Sequence, residues 1–187
     1  MNLENQRYGR NKNTVVNHQY IASAEYRRKF DKITDNKELR RTLYSAAKEM
    51  LSHRSGTLFE DMYWLDLDTS KIIVKVTDAA DEKKISYTLA ILKAIQGKKI
   101  LTMHTHPDSF PPSDADFRSA YLHNYHENLV LCHDGTIFTY NAHSDINTEL
   151  YMMYVAKFKK KGYNEREAQI SALNMLKRMG GISFEEV

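Results

Sequence analysis

Between Ile100 and Phe117 the sequence reads ILTMHTHPDSFPPSDADF, a short stretch holding two imidazoles, four hydroxyls and three carboxylates. In a β-strand, residues i and i+2 project from the same face. A strand that starts at Ile100 to Met103 and runs on therefore sets His104 and His106 side by side. That pair is half of a metal site. All three prolines of the chain follow at once, at Pro107, Pro111 and Pro112. They fix φ and remove backbone donors where the strand must stop, so the loop is held rather than free. Ser113 is a good N-cap, and Asp116, three residues on, falls in the first helical turn, which returns its carboxylate toward the imidazoles. Two histidine nitrogens and one carboxylate oxygen suit an open zinc site whose fourth position is left to water.

In this order His104, Thr105, His106, Pro107, Ser113 and Asp116 resemble the signature of the JAB/MPN (JAMM) zinc metalloproteases. There His, Ser or Thr, His and Pro precede a Ser and, three residues later, an Asp. The resemblance implies Zn2+ ligation by His104, His106 and Asp116, and a transition-state contact from Ser113. One departure stands out: Pro107 and Ser113 are separated by one residue fewer than is usual in the family.

A zinc hydrolase also needs a base that takes a proton from the attacking water and hands it to the leaving amine. Glu60 is the candidate, because HRSGTLFEDM from His53 to Met62 resembles the family's helix exit, glycine and glutamate. The alternatives are Asp61, which is shorter and faces the other way along a strand, and Glu49, which lies inside a helix. The implied activity is amide hydrolysis without a covalent intermediate. Family members cut isopeptide bonds of ubiquitin-like modifiers or ordinary peptide bonds, so the implied partner is a protein or peptide substrate, including a ubiquitin-like conjugate. The resemblance covers about Asp35 to Tyr140 and implies a JAB/MPN-like core with cytidine-deaminase-like layering.

The elements that must position these groups follow from periodicity. DNKELRRTLYSAAKEMLSHRSG, from Asp35, offers an Asp cap, apolar residues at Leu39, Leu43, Ala46, Ala47, Met50 and Leu51, and Gly56 as a stop, which predicts a core-facing helix. Thr57 to Leu67 reads as a strand, paired in a hairpin with Ile72 to Val76 across a turn at Asp68 to Ser70. Asp81 to Gly97 has helical spacing at Ile85, Leu89 and Leu92, with Gly97 as C-cap. Beyond the motif, Ser113 to His123 is expected as a helix. Asn128 to His133 and Thr136 to Tyr140 then form a hairpin around Asp134-Gly135. Two more helices are expected after Asp145, ended by Gly162 and by Gly180-Gly181.

The fold class is therefore α/β or α+β, a mixed sheet flanked by helices. Residues 1–30 read as a polar N-terminal segment or linker with a disordered start and a short helix at Tyr20 to Phe30. Residues 31–143 are the core domain, and residues 144–187 a C-terminal helical extension packed on it.

Composition narrows the function. A hydrophobic content of 42% and a charged content of 27% suit one ordinary globular domain, and a net charge of +3 gives no reason to expect nucleic acid. The single cysteine, Cys132, excludes an internal disulfide and fits a reducing, cytoplasmic setting; it reads as a small core residue. No apolar run is long enough for a membrane span. His123 and His126 read as surface residues, and the basic run Lys157 to Lys161 as a solvated helix end. Other readings are a catalytically silent MPN-like scaffold, which the retained histidines, Ser113 and Asp116 argue against, and a barrel-type phosphoesterase, for which the chain is short. Zinc deaminases need paired cysteines that are absent.

Overall fold

A computed structural model describes residues 11–79, 81–82 and 85–187. After a 3-10 turn at Lys12–Thr14, the described residues form two short helices, α1 (His18–Ile21) and α2 (Ala24–Lys29), capped by the side chains of Asn17 and Ser23. Residues 11–30, expected as a polar lead or linker, belong to the packed domain instead. Val16, Ile21, Tyr26 and Phe30 are buried, and Asn11 N–H donates to Gly56 O at 2.9 Å. The remainder of the expected disordered start, residues 1–10, lies outside the described residues.

Helix α3 (Lys37–Arg54) forms as the spacing predicts, with Leu39, Leu43, Ala46, Ala47, Met50 and Leu51 all buried. Its cap is Asn36 rather than Asp35: the Asn36 carboxamide accepts from the N–H groups of Glu38 and Leu39. After Gly56, at φ 77°, the backbone stays irregular until β1 (Met62–Asp66), which is shorter than the strand expected from Thr57. It pairs antiparallel with β2 (Lys71–Val76).

The helix expected from Asp81 is only α4 (Leu89–Ile95). Thr88 caps it by accepting from Ile91 N–H, and Tyr87 is held outside any helix by its hydroxyl's contact with Ser119 Oγ at 2.8 Å. Side-chain partners here override a helical apolar spacing. Residues 83–84, in the same expected helix, lie outside the described residues.

Strand β3 (Ile100–His106) carries the histidines, and α5 (Asp114–Leu122) follows the proline loop. Strands β4 (Glu127–Cys132) and β5 (Ile137–Ala142) form the hairpin, with Gly135 at φ 88° in its turn. Helices α6 (Thr148–Lys160) and α7 (Glu165–Met179) come next, and a strand unforeseen in the sequence, β6 (Ile182–Glu186), closes the order. The segment from residue 144 thus carries, besides the two expected helices, a strand hydrogen-bonded to β5.

The six strands lie in the order β2-β1-β3-β4-β5-β6. Only β3 and β4 are parallel, joined by α5 as the crossover; the other neighbours are antiparallel. Each face of the sheet has its own core. On one, α3 and the N-terminal helices cover Tyr63, Leu65, Leu101, Met103, Leu129 and Leu131. On the other, α4 to α7 contribute to the cover over Met62, Trp64, Val130, Phe138 and Tyr140. His104 stands opposite Met62 in the β1–β3 ladder, so its side chain belongs to this second face. Among the described residues, no helix is long and apolar enough to cross a membrane.

Candidate metal centre

The period-two logic holds through the motif. Strand β3 does not stop at Met103 but continues through His106, and the two imidazoles stand together with their Nε2 atoms 3.0 Å apart. Asp116 reaches both: its Oδ1 lies 3.2 Å from His104 Nε2 and its Oδ2 3.5 Å from His106 Nε2. Possible ligand atoms of the three residues all fall within 4.8 Å of one another.

These separations can be tested against an ion. Four ligands at zinc bond lengths of about 2.0–2.1 Å sit roughly 3.3 Å apart along the edges of a tetrahedron. The observed 3.0, 3.2 and 3.5 Å bracket that edge. The orientation of the His106 ring agrees. His106 Nδ1 is 3.0 Å from the Phe110 carbonyl, which can only accept, so Nδ1 carries a proton and Nε2 is the nitrogen turned to the centre. The His104 ring is held edge-on to Tyr140 at 6.2 Å, while its own Nδ1 is buried without a hydrogen-bond partner. Two imidazole nitrogens aimed at one another and at a carboxylate need a proton or a cation among them. The donor set therefore fits a divalent metal.

The charges show the same demand. For the His106 imidazolium, burial is the largest influence and opposes it, yet hydrogen bonding to Asp116 and the negative charges of Asp116 and Glu60 outweigh burial and lift the pKa to about 9. For Asp116, burial pushes upward, but the two imidazoles hold the carboxyl well below its usual range.

A capping box aims the aspartate. Asp116 N–H donates to Ser113 Oγ at 3.2 Å, and Ser113 N–H donates back to Asp116 Oδ2 at 2.7 Å. Ser113 Oγ also lies 2.7 Å from Oδ2 and donates to it. A hydroxyl has one proton, and this one is committed to Asp116. In this arrangement Ser113 positions the aspartate; the transition-state contact that the resemblance implies requires the hydroxyl to turn away.

Glu60 enters from the neighbouring segment. Asp61 extends the β1–β3 pairing by one step, since Thr105 N–H donates to Asp61 O at 3.1 Å and Asp61 N–H to Thr105 Oγ1 at 3.0 Å. The residue before it shares the face of Met62 and His104. Glu60 accordingly lines the same cavity as His104, His106, Ser113 and Asp116, and is 8% exposed. Burial pushes its pKa up, against a downward pull from the imidazoles of His106 and His104.

The two alternative bases face elsewhere. Asp61 is wholly buried on the opposite side, where Arg54 Nε donates to its Oδ1 at 2.5 Å and His53 Nδ1 to its Oδ2 at 2.8 Å. Glu49 accepts from Tyr63 OH at 2.9 Å and pairs with Lys75.

Sequence reasoning missed what holds the proline loop. Arg166, on α7, donates through Nε to Ser109 O at 3.0 Å, and Asp134 N–H donates to Ser109 Oγ at 3.0 Å. Ser109 itself has φ 60°, a left-handed backbone that a non-glycine residue adopts at a cost, so these contacts secure a strained corner. Nothing in the local sequence links Arg166 to the loop, because the contact spans 57 residues. His123 stacks on Tyr87 and Tyr125 rather than lying free on the surface, and Cys132 is buried as expected.

No protein-family model, curated protein or solved structure matches this chain.

Proposed function

We propose that this protein is a zinc-dependent amide hydrolase, a metallopeptidase or isopeptidase of the JAMM type acting on a peptide or protein. The observation that carries the reading is the mutual approach of His104 Nε2, His106 Nε2 and the Asp116 carboxylate to 3.0–3.5 Å, with Glu60 in the same cavity. His104, His106 and Asp116 would hold the metal, which when bound supplies Lewis acidity that acidifies water and polarises a carbonyl.

The chain's own residues supply the rest. Glu60, shielded from solvent and with its pKa raised, takes the proton of the attacking water and delivers it to the departing amine nitrogen. Ser113 steers Asp116, and Phe110 O fixes the His106 ring.

Metal analysis of native protein and of Asp116→Ala tests the reading. The wild type is expected to retain about one equivalent of zinc at three-residue ligation, and the variant to lose it. If Asp116 were only a capping residue, the substitution would cost about 1 kcal/mol of stability and leave the metal in place. Glu60→Gln is expected to keep zinc and abolish amide cleavage; retained turnover removes Glu60 from the mechanism.

A further inference from the structure

The cavity that contains Glu60 and the three candidate ligands is larger than the reacting groups require. Its volume is about 440 Å³, within the range of pockets that enclose a small ligand. Beside the ligands its wall is made by Met62, Ile85, Tyr87, Ser119, Tyr125 and Tyr140. We propose that this recess is a side-chain subsite, and that the substrate carries a large apolar or aromatic residue next to the scissile amide. The proposal rests on the hydrolase reading above and names its substrate class.

The polar tips of the wall are already satisfied within it. Trp64 Nε1 donates to Tyr125 OH at 3.0 Å, and Tyr87 OH is paired with Ser119 Oγ at 2.8 Å. What remains for a ligand is mainly ring surface, a thioether and an aliphatic side chain, with Gln169 as a further polar lining residue. The acidic residues of the cavity are Glu60, Asp108 and Asp116; Glu60 and Asp116 belong to the centre, and no lysine or arginine lines the cavity among the described residues. An acidic side chain entering the recess would give up its hydration among rings with no described lysine or arginine to pair with, and a lysine would exchange water for phenol rings.

Size points the same way. An aromatic side chain buries 150–250 Å² when enclosed, whereas glycine beside the scissile bond leaves Tyr87, Tyr125 and Tyr140 wet. The wall is also set in advance. Trp64 meets Tyr87 edge-on at 5.7 Å, Tyr87 stacks on His123 at 4.8 Å, and Phe117 meets Tyr140 edge-on at 5.2 Å. Rings locked against neighbours lose little freedom when a ligand arrives.

Trp64 is the only tryptophan of the chain and touches two wall residues, so it reports occupancy directly. The experiment titrates the full chain, zinc-free and zinc-loaded, with the N-acetyl amides of Phe, Leu, Gly, Lys and Asp while following Trp64 emission. The Phe and Leu amides are expected to give saturable changes at concentrations at least tenfold lower than the other three. Ser119→Leu and Ala115→Phe narrow the recess from its wall and its exposed edge, and each is expected to weaken the Phe amide at least tenfold with zinc content retained. Equal binding of Gly and Phe amides, preference for Lys or Asp, or no saturation by the Phe amide would overturn the subsite.

Internally quenched peptides varied at the residues flanking the cleaved bond complete the test. Cleavage with zinc bound but without apolar preference removes the subsite and leaves the hydrolase. Selective binding of the Phe amide by a protein that holds no zinc removes the hydrolase and leaves an apolar binding pocket.

Discussion

Asp61→Ala takes one carboxylate from beneath the site, and its cost follows from what the carboxylate leaves behind. Arg54 and Asp61 are both fully buried. The guanidinium keeps a donation to Thr77 O at 2.7 Å but loses the carboxylate to which its Nε donates, and His53 loses its acceptor. Breaking a buried pair from one side costs about 3–5 kcal/mol, because the remaining charge stays desolvated. For a chain of this size each kcal/mol moves the melting temperature by about 2–4 °C, so a drop of roughly 6–20 °C is expected.

Two controls separate this from generic damage. Lys159→Ala breaks the exposed pair with Glu165, at 52% and 40% side-chain exposure, and should cost less than about 1 kcal/mol. The double variant Arg54→Met with Asp61→Leu removes both charges and should recover most of the loss. Thermal unfolding followed by circular dichroism supplies the readout. A fall of under about 3 °C for Asp61→Ala, or a double variant no better than the single, would refute the claim that a desolvated charge dominates here.

Other outcomes follow from the same geometry. Ser113→Ala should lower stability by about 1 kcal/mol through the lost cap and weaken zinc retention in a chelator competition by releasing Asp116 Oδ2. Arg166→Ala should leave the secondary structure intact while raising protease sensitivity at the loop near Ser109, which limited proteolysis and mass mapping will show. Burial between Tyr87 and Tyr125 holds the His123 pKa below its ordinary 6.5, so the unfolded chain takes up a proton first as the pH falls. Stability should therefore decline below about pH 6.5, and denaturant melts of His123→Phe should show a shallower decline.

Much of the candidate site is legible locally. The i, i+2 spacing of His104 and His106, the stop imposed by Pro107 and the cap at Ser113 are all short-range rules, and the structure keeps each of them. So are helix α3 and the Asp134-Gly135 turn. What escapes is settled by distant partners. Ile85, Leu89 and Leu92 have helical spacing, but Tyr87 is claimed by Ser119 on another element, and the helix starts only at Leu89. Val16, Ile21, Tyr26 and Phe30 are too sparse to announce a core, yet the face left open by α3 buries them. Strand β6 ends in two glutamates and is visible only as the partner of β5. Asp61 faces away from Glu60 as the alternation predicts, but its partner there, Arg54, is not announced by the strand.

The grip of Arg166 on Ser109 gives the order of synthesis a meaning. A polypeptide growing from its amino end displays both imidazoles and the aspartate well before the arginine that steadies their connecting corner, and before β6 seals the sheet's margin. A nascent chain thus has every reactive group in hand while the clasp is still missing. The corner between the histidines and Asp116 is secured only once the late helix has been made.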